Sequence, residues 1–330
     1  MVDRMKLNSS YKSKFLKGFI LFFFILMFLF PYSSYKGASS GLMLWFINVL
    51  PTLLPFIIVS NMMIRLNIAG KISGLLYPVI GRLFRVSPNA CYPILIGFLS
   101  GLPMGAKAVA DLSSENKIKL KEAHVLLGMC NNASPIFIMS YIAINQLKMP
   151  KIRIPLFVII YGSSILSAII YRIYQNHHNK MKHINSDMDI SSVTTGSSYR
   201  SVKFSFDILD KSIMNGFEVI TKIGGFIILF SILAQIINEI GPSLSFYKAT
   251  IMGILEITTG IDQVCKLHIS GNIKIVLVSF LASFGGLSGL AQTKSVLGES
   301  RLSIKTYFLV KLLSAFIAIL FSLLYVCIKK

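Results

Sequence analysis

The chain has 330 residues, of which 54% are apolar and 14% charged, and its mean hydropathy is +0.69. That is more apolar surface than a water-soluble globular domain can bury, so a soluble fold is excluded and lipid is required. Lys and Arg number 33 against 13 Asp and Glu, a formal +20, but most of these bases sit in short connections beside apolar runs, as on a cytoplasmic membrane face, and no basic domain or aromatic motif speaks for nucleic acid.

A bilayer core of ~30 Å takes about 20 mostly apolar helical residues. In chain order, Phe15 to Phe30 follows a basic start (Arg4, Lys6, Lys12, Lys14) and is predicted to be an uncleaved anchor, because Pro31, Tyr32, Tyr35 and Lys36 stand where a small-x-small cleavage site would fall. Leu42 to Ile64, Cys91 to Ala110, Ala123 to Leu147 and Ile154 to Tyr174 come next. Gly70 to Val86, with Lys71, Arg82 and Arg85 among apolar residues, is predicted to lie in the interface. Gln175 to Phe206 is polar and rich in Ser, Asn, Lys and His, a connector that carries His177, His178 and His183 as solvated residues. Beyond it, Ile213 to Ile237, Ala249 to Val264, Ile273 to Leu297 and Ser303 to Ile328 are predicted helices. The organisation is therefore an anchor with its flanks (1–40), a first membrane repeat (41–174), a cytoplasmic connector (175–206) and a second membrane repeat (207–330).

Placing the N-terminus, Arg65 to Arg85, Arg172 to Lys203 and Lys329-Lys330 in the cytoplasm satisfies the positive-inside rule and leaves Lys148, Lys151 and Arg153 outside. Arg65 to Arg85 and the charged stretch Lys107 to Glu122 then share a side only if Cys91 to Ala110 dips in and returns. The fold class expected is an all-α polytopic membrane protein of two inverted-topology repeats with broken or re-entrant helices.

The breaks carry the functional expectation. Ser100-Gly101-Leu102-Pro103-Met104-Gly105-Ala106-Lys107 interrupts an apolar run, and Ser283-Phe284-Gly285-Gly286-Leu287-Ser288-Gly289-Leu290-Ala291-Gln292, followed by Lys294, reads as its counterpart. Such breaks leave backbone groups unpaired and belong inside protein or beside water, although tight helix contact through small residues explains them too. Asn131, Asn132, Ser134 and Pro135 interrupt a third run, either as interhelical glue or as a polar lining, and the lining is the expectation. Together these give a substrate site of Ser100, Gly101, Pro103, Gly105, Lys107, Asn131, Asn132, Ser134, Pro135, Gly285, Gly286, Ser288, Gly289, Gln292 and Lys294. Lys107 and Lys294 are expected about one turn into the helix after each break, where the helix dipole also favours an anion; snorkelling is the alternative for both. Glu218 and Lys222, at i,i+4, either neutralise each other or serve a coupling path, with Glu256 and Asp262 as weaker candidates. Cys91, Cys130, Cys265 and Cys327 form no CxxC pair and read as packing residues, and no hydrolase, zincin or nucleotide motif occurs, so no enzyme, metal or cofactor is expected.

The motifs LPTLLPF, RLFRV, GFLSGLPMGAKAVADL and NNASPIFI, between Gly41 and Ile138, resemble the sporulation integral membrane protein family of YlbJ type, as does SFGGLSGLAQ in the second half. The resemblance implies a Gate (nucleoside recognition) domain, shared with concentrative nucleoside transporters and the membrane region of the ferrous iron transporter. It also implies a place in the mother-cell-derived forespore membrane of a spore-former, and dipicolinate, a small aromatic dianion, as the substrate. A non-transporting scaffold for the spore cortex and a nucleoside transporter are the rival functions; a homo-oligomer or partners in the spore membrane stay open.

Overall fold

The computed structural model describes residues 17–66, 68–182, 204–240, 245–298 and 300–329. The basic start of the chain and most of the polar connector, His183 included, lie outside the described residues. All regular structure among the described residues is helical. Helix α1 (Lys17–Leu29) meets the next helical run at a bend of 106°. There α2 (Pro31–Leu44), a π-turn (Trp45–Val49) and α3 (Leu50–Arg65) follow one another without a non-helical residue. Residues 31–40, expected as a flank of the anchor, are thus helix. Pro31 opens α2 at a position where its missing N–H is not needed. The low hydropathy of α2 has a packing reason: a Cβ on Gly37 would lie 2.7 Å from the Cα of Ile232, and one on Gly41 2.9 Å from the Cα of Ile228. Bare backbone lets α2 rest directly on helix α9 (Phe206–Glu239).

The remaining elements occur in an order that repeats. After α4 (Ile68–Phe84), helices α5 (Cys91–Ser100) and α6 (Met104–Ser114) fold back on each other as a hairpin; α7 (Leu120–Cys130) then breaks and resumes as a π-helix (Phe137–Gln146), and α8 (Arg153–Lys182) follows. After α9 comes a second hairpin, α10 (Phe246–Leu255) and α11 (Ile257–Lys266), then a second broken helix, α12 (Gly271–Phe284) and α13 (Gly286–Val296), then α14 (Ile304–Ile328). Four helical stretches are long and apolar enough to cross a bilayer, Pro150–His177, Phe206–Glu239, Gly271–Val296 and Ile304–Ile328, or five with the bent pair at the start.

Two expectations change. Ala249 to Val264, read as one helix, is the second hairpin: Glu256 sits in an extended conformation (φ −141°, ψ 118°) and caps α11, and the two arms touch at Gly253 and Gly260. Consequently the counterpart of the Gly101 break is Glu256, not Gly285, and Gly285 corresponds to the break at Asn131 to Ser134. The helix before the connector also runs to Lys182 instead of ending near Tyr174.

Each hairpin tip is wedged against the break of the helix that follows it. Cβ atoms on Gly97 and Gly105 would each lie 2.1 Å from the Cys130 carbonyl oxygen, and one on Gly101 2.6 Å from the Ser134 nitrogen. In the second half a Cβ on Gly286 would meet Ile257 N at 3.3 Å and Leu255 O at 3.4 Å.

Candidate functional site

The first break shows how a helix can stop inside an apolar bundle without orphaned backbone. Pro135 has no N–H to return to the Asn131 carbonyl, and the carbonyls so released are taken up by neighbours. Leu102 N, at the tip of the first hairpin, donates to Asn132 O at 2.7 Å, and the Tyr161 hydroxyl lies 3.1 Å from both Ala133 O and Phe98 O. Ser134 then restarts the helix: its hydroxyl accepts from Phe137 N at 3.2 Å and its carbonyl from Ile138 N at 3.0 Å, with Pro135 in the first turn. In the second half Gly285, at φ 83°, takes the left-handed conformation that closes α12 and donates to Leu281 O at 2.9 Å. Glu256 is 1% exposed, and its Oε2 accepts from Thr259 N at 2.7 Å, the N-cap of α11.

These four interruptions converge on one cavity of about 80 Å³. Ser100 and Leu102 enter from the first hairpin, Ala133, Ser134 and Phe137 from the first broken helix, Glu256 and Thr258 from the second hairpin, and Gly285, Gly289 and Gln292 from the second broken helix. Asn48, Val49 and Leu53 with Ile223 and Ile227 of α9 close the remaining side. The Ser100 hydroxyl is buried and has no protein partner. A larger polar depression of about 500 Å³ shares Asn48 with this cavity and is lined by Lys36, Gln235, Asn238, Asp262, Gln263 and Lys266 among others, so it forms a vestibule beside the second hairpin.

Of the residues singled out in the sequence, Ser100, Ser134, Gly285, Gly289 and Gln292 line the cavity, while Gly101, Gly105 and Gly286 instead give the close approach of tip to break. Pro103 follows a cis Leu102–Pro103 bond at the tip, and Ser288 accepts a hydrogen bond from Gln292 Nε2 at 3.1 Å. Asn131 is glue: its amide donates to Thr293 Oγ1 at 2.7 Å and Tyr307 OH at 2.8 Å, stitching the break to α13 and α14. Asn132 donates to Met129 O and accepts from Lys311.

The two lysines depart from expectation. Lys107 does lie in the first turn of α6, but its ammonium pairs with Asp111 at 3.0 Å and it does not line the cavity. Lys294 lies in the last turn of α13, exposed, where it complements the helix C-terminus. Glu218 and Lys222 pair with each other at 2.6 Å on the exposed side of α9, away from the cavity, and Asp262 pairs with Lys266 at 2.6 Å. Replacing Lys294 with Ala, or Glu218 with Gln, is therefore expected to change transport by less than about fivefold, since exposed pairs and single surface charges contribute ~0–1 kcal/mol. Uptake into vesicles normalised to inserted protein checks this.

The cation that sequence reasoning missed is Lys311. It is fully buried in α14, forms no ion pair among the described residues, and donates at 2.9 Å to Oδ1 of Asn132, the residue that precedes Ala133 of the cavity wall in the chain. The signal was present: a lysine in the second turn or beyond of an otherwise apolar membrane helix is a functional candidate by default.

Two hairpins facing two broken helices across a partly open cavity with a few polar groups, within a bundle of apolar helices, define a multi-pass integral membrane protein of transporter-like build. The family model described as "Gate: Nucleoside recognition" matches residues 46–147, which run from the π-turn through the first hairpin to the end of the first broken helix. Over 93% of its length the chain is 28% identical to the sporulation integral membrane protein YlbJ of Bacillus subtilis (strain 168), covering 81% of that protein. The chain is a homologue of that sporulation protein, in line with the motifs that first pointed to it. No solved structure matches it.

Proposed function

We propose that this protein carries a small anionic metabolite of the dipicolinate kind across the mother-cell-derived forespore membrane during endospore formation. The observation that carries the transport reading is the convergence of four chain interruptions, two from each half, on one partly open, largely apolar cavity that carries a few polar groups, Ser100, Glu256, Thr258 and Gln292 among them. A scaffold needs tight helix contacts but has no use for four breaks meeting at a hydroxyl that no protein group satisfies.

Parity supports alternating access. With the first broken helix taken as a crossing beside the candidate spans α8 and α9, the two hairpins would dip into the membrane from opposite faces, the inverted arrangement that alternating access uses. At about 80 Å³ the cavity is far below the ~300–1,000 Å³ of an occupied small-molecule site, so this conformation is closed down and substrate entry requires one hairpin to withdraw. The anion preference rests on Lys311 behind the first break and on Lys36 and Lys266 at the vestibule, where Asp262 is the opposing charge.

A second reading has its own observation. Among the described residues Glu256 is the one charged side chain lining the cavity, and a carboxylate suits a neutral solute rich in hydroxyl donors, such as a nucleoside. Reconstituted protein should take up labelled dipicolinate saturably, with unlabelled uridine unable to compete. Competition by uridine without dipicolinate uptake would favour the nucleoside; no uptake of either by correctly inserted protein would favour the scaffold.

A further inference from the structure

The cavity presents an unresolved electrostatic conflict, because its one charged lining group is a carboxylate while the substrate proposed above is a dianion. No Lys, Arg or His lines the space to stand between them. Glu256 cannot swing away freely, since its Oε2 caps α11 by accepting from Thr259 N, and the tip around it is held by the close approach of Gly253 to Gly260. The groups around it offer no compensating cation. On its own helix Asp262 is already tied to Lys266 at 2.6 Å. From the π-helix comes the phenol of Tyr141, which donates to Thr258 O. From α9 the facing side chains are Ile223 and Ile227, and α13 contributes Gly289 and Gln292. Lys248 lies eight residues back along α10 and Lys274 of α12 donates to Cys265 O at 2.6 Å, so neither reaches the tip. Lys311 is across the break, bonded to Asn132.

We propose that Glu256 is the coupling site for a cotransported proton: the carboxylate takes up one proton as the anion enters the cavity and releases it on the side where the anion leaves. The inference rests on the anion-transport reading. A protonated carboxyl keeps one oxygen as the cap acceptor for Thr259 N and turns the other toward the cavity as a hydroxyl donor. Anion and proton therefore bind each other's state of the site, and the coupling is reciprocal.

The test is proton counting on the purified full-length protein. Dipicolinate binding is followed calorimetrically in two buffers of different protonation enthalpy, from about pH 6 to about pH 9, where both its carboxyls, with reference pKa values of ~3–4, stay ionised. Wild-type protein should take up close to one proton per dipicolinate bound at the alkaline end, and its affinity should fall about tenfold per pH unit there. Glu256→Gln mimics the protonated form and keeps an acceptor for the cap. It should bind dipicolinate with no proton uptake and no pH dependence over the same range. Wild-type binding without proton uptake overturns the inference while leaving the transport reading intact. So does persistent pH dependence in Glu256→Gln, a folded Glu256→Gln that fails to bind, or a requirement for sodium in place of the proton. Absence of dipicolinate binding to folded wild-type protein is the separate outcome that removes the anion reading itself.

Discussion

Lys311→Met should lose dipicolinate uptake by about 5- to 30-fold, the range that follows from the ~1–2 kcal/mol expected of a charge that acts through Asn132 without lining the cavity, while the amount of folded protein in the membrane stays level or rises. The second half of that expectation separates function from structure. An ammonium without a carboxylate, buried in the bundle, is expensive to desolvate, by several kcal/mol even after relaxation. Met has nearly the same length and no charge, so the substitution removes that penalty. What it forfeits structurally is one hydrogen bond, leaving Asn132 Oδ1 unpaired at about 1–3 kcal/mol. A lysine retained only for packing would show the reverse pattern, with abundance falling and uptake per molecule unchanged. Fluorescence-detected size exclusion gives the abundance and vesicle uptake gives the activity, and the ratio of the two is the quantity to read.

Gly260→Ala is expected to destabilise the protein strongly and to remove transport with it. Its Cβ would lie 1.9 Å from the Cα and 2.3 Å from the nitrogen of Gly253, a collision with backbone that no rotamer change relieves. The arms of the second hairpin must then part, and with them Glu256 and the cap of α11. Overpacking of this kind costs about 1–3 kcal/mol and more where backbone must move, enough to lower the melting temperature by several degrees. Gly225→Ala is the internal control. Nothing lies within 4 Å of its added Cβ, and in the interior of α9 alanine is favoured over glycine by about 0.8–1.0 kcal/mol, so this variant should melt no lower than the parent. Equal melting temperatures for the two variants would contradict the close approach of the hairpin arms.

The positions of the breaks were legible in sequence because Gly and Pro are conspicuous inside apolar runs, and Ser100, Ser134, Gly285, Gly289 and Gln292 do meet at one cavity. Their pairing was not legible. The tip of the second hairpin carries neither Gly nor Pro at its turn: it is made by an extended glutamate that caps the following helix, so Ala249 to Val264 reads as one largely apolar segment that contains two acids, Glu256 and Asp262. The two lysines expected to face the cavity do not line it. Lys107 and Lys294 stand beside breaks in sequence, yet one is neutralised by Asp111 a turn away and the other emerges at the far end of an 11-residue helix. Lys311 reaches the first break from a helix 179 residues distant in sequence, a contact that only the tertiary fold creates. The helix α2 escaped notice for the opposite reason, since a Ser- and Gly-rich face that looks polar in a window average is the face that packs on α9.

Leu102 gives the closed cavity a measurable lifetime. From the tip of the first hairpin its Cδ1 reaches across to the bare backbone of the second broken helix, 3.6 Å and 3.7 Å from where Cβ atoms of Gly285 and Gly289 would stand. One leucine against two glycines is a shallow latch. Fully burying such a side chain is worth roughly 1.5–3 kcal/mol, and this one is only partly covered, so the closed form outweighs a form with the tip lifted by at most about ten- to a hundredfold. A contact of that depth opens on thermal energy alone, so in the transport reading proposed above the tip needs no further energy source to lift.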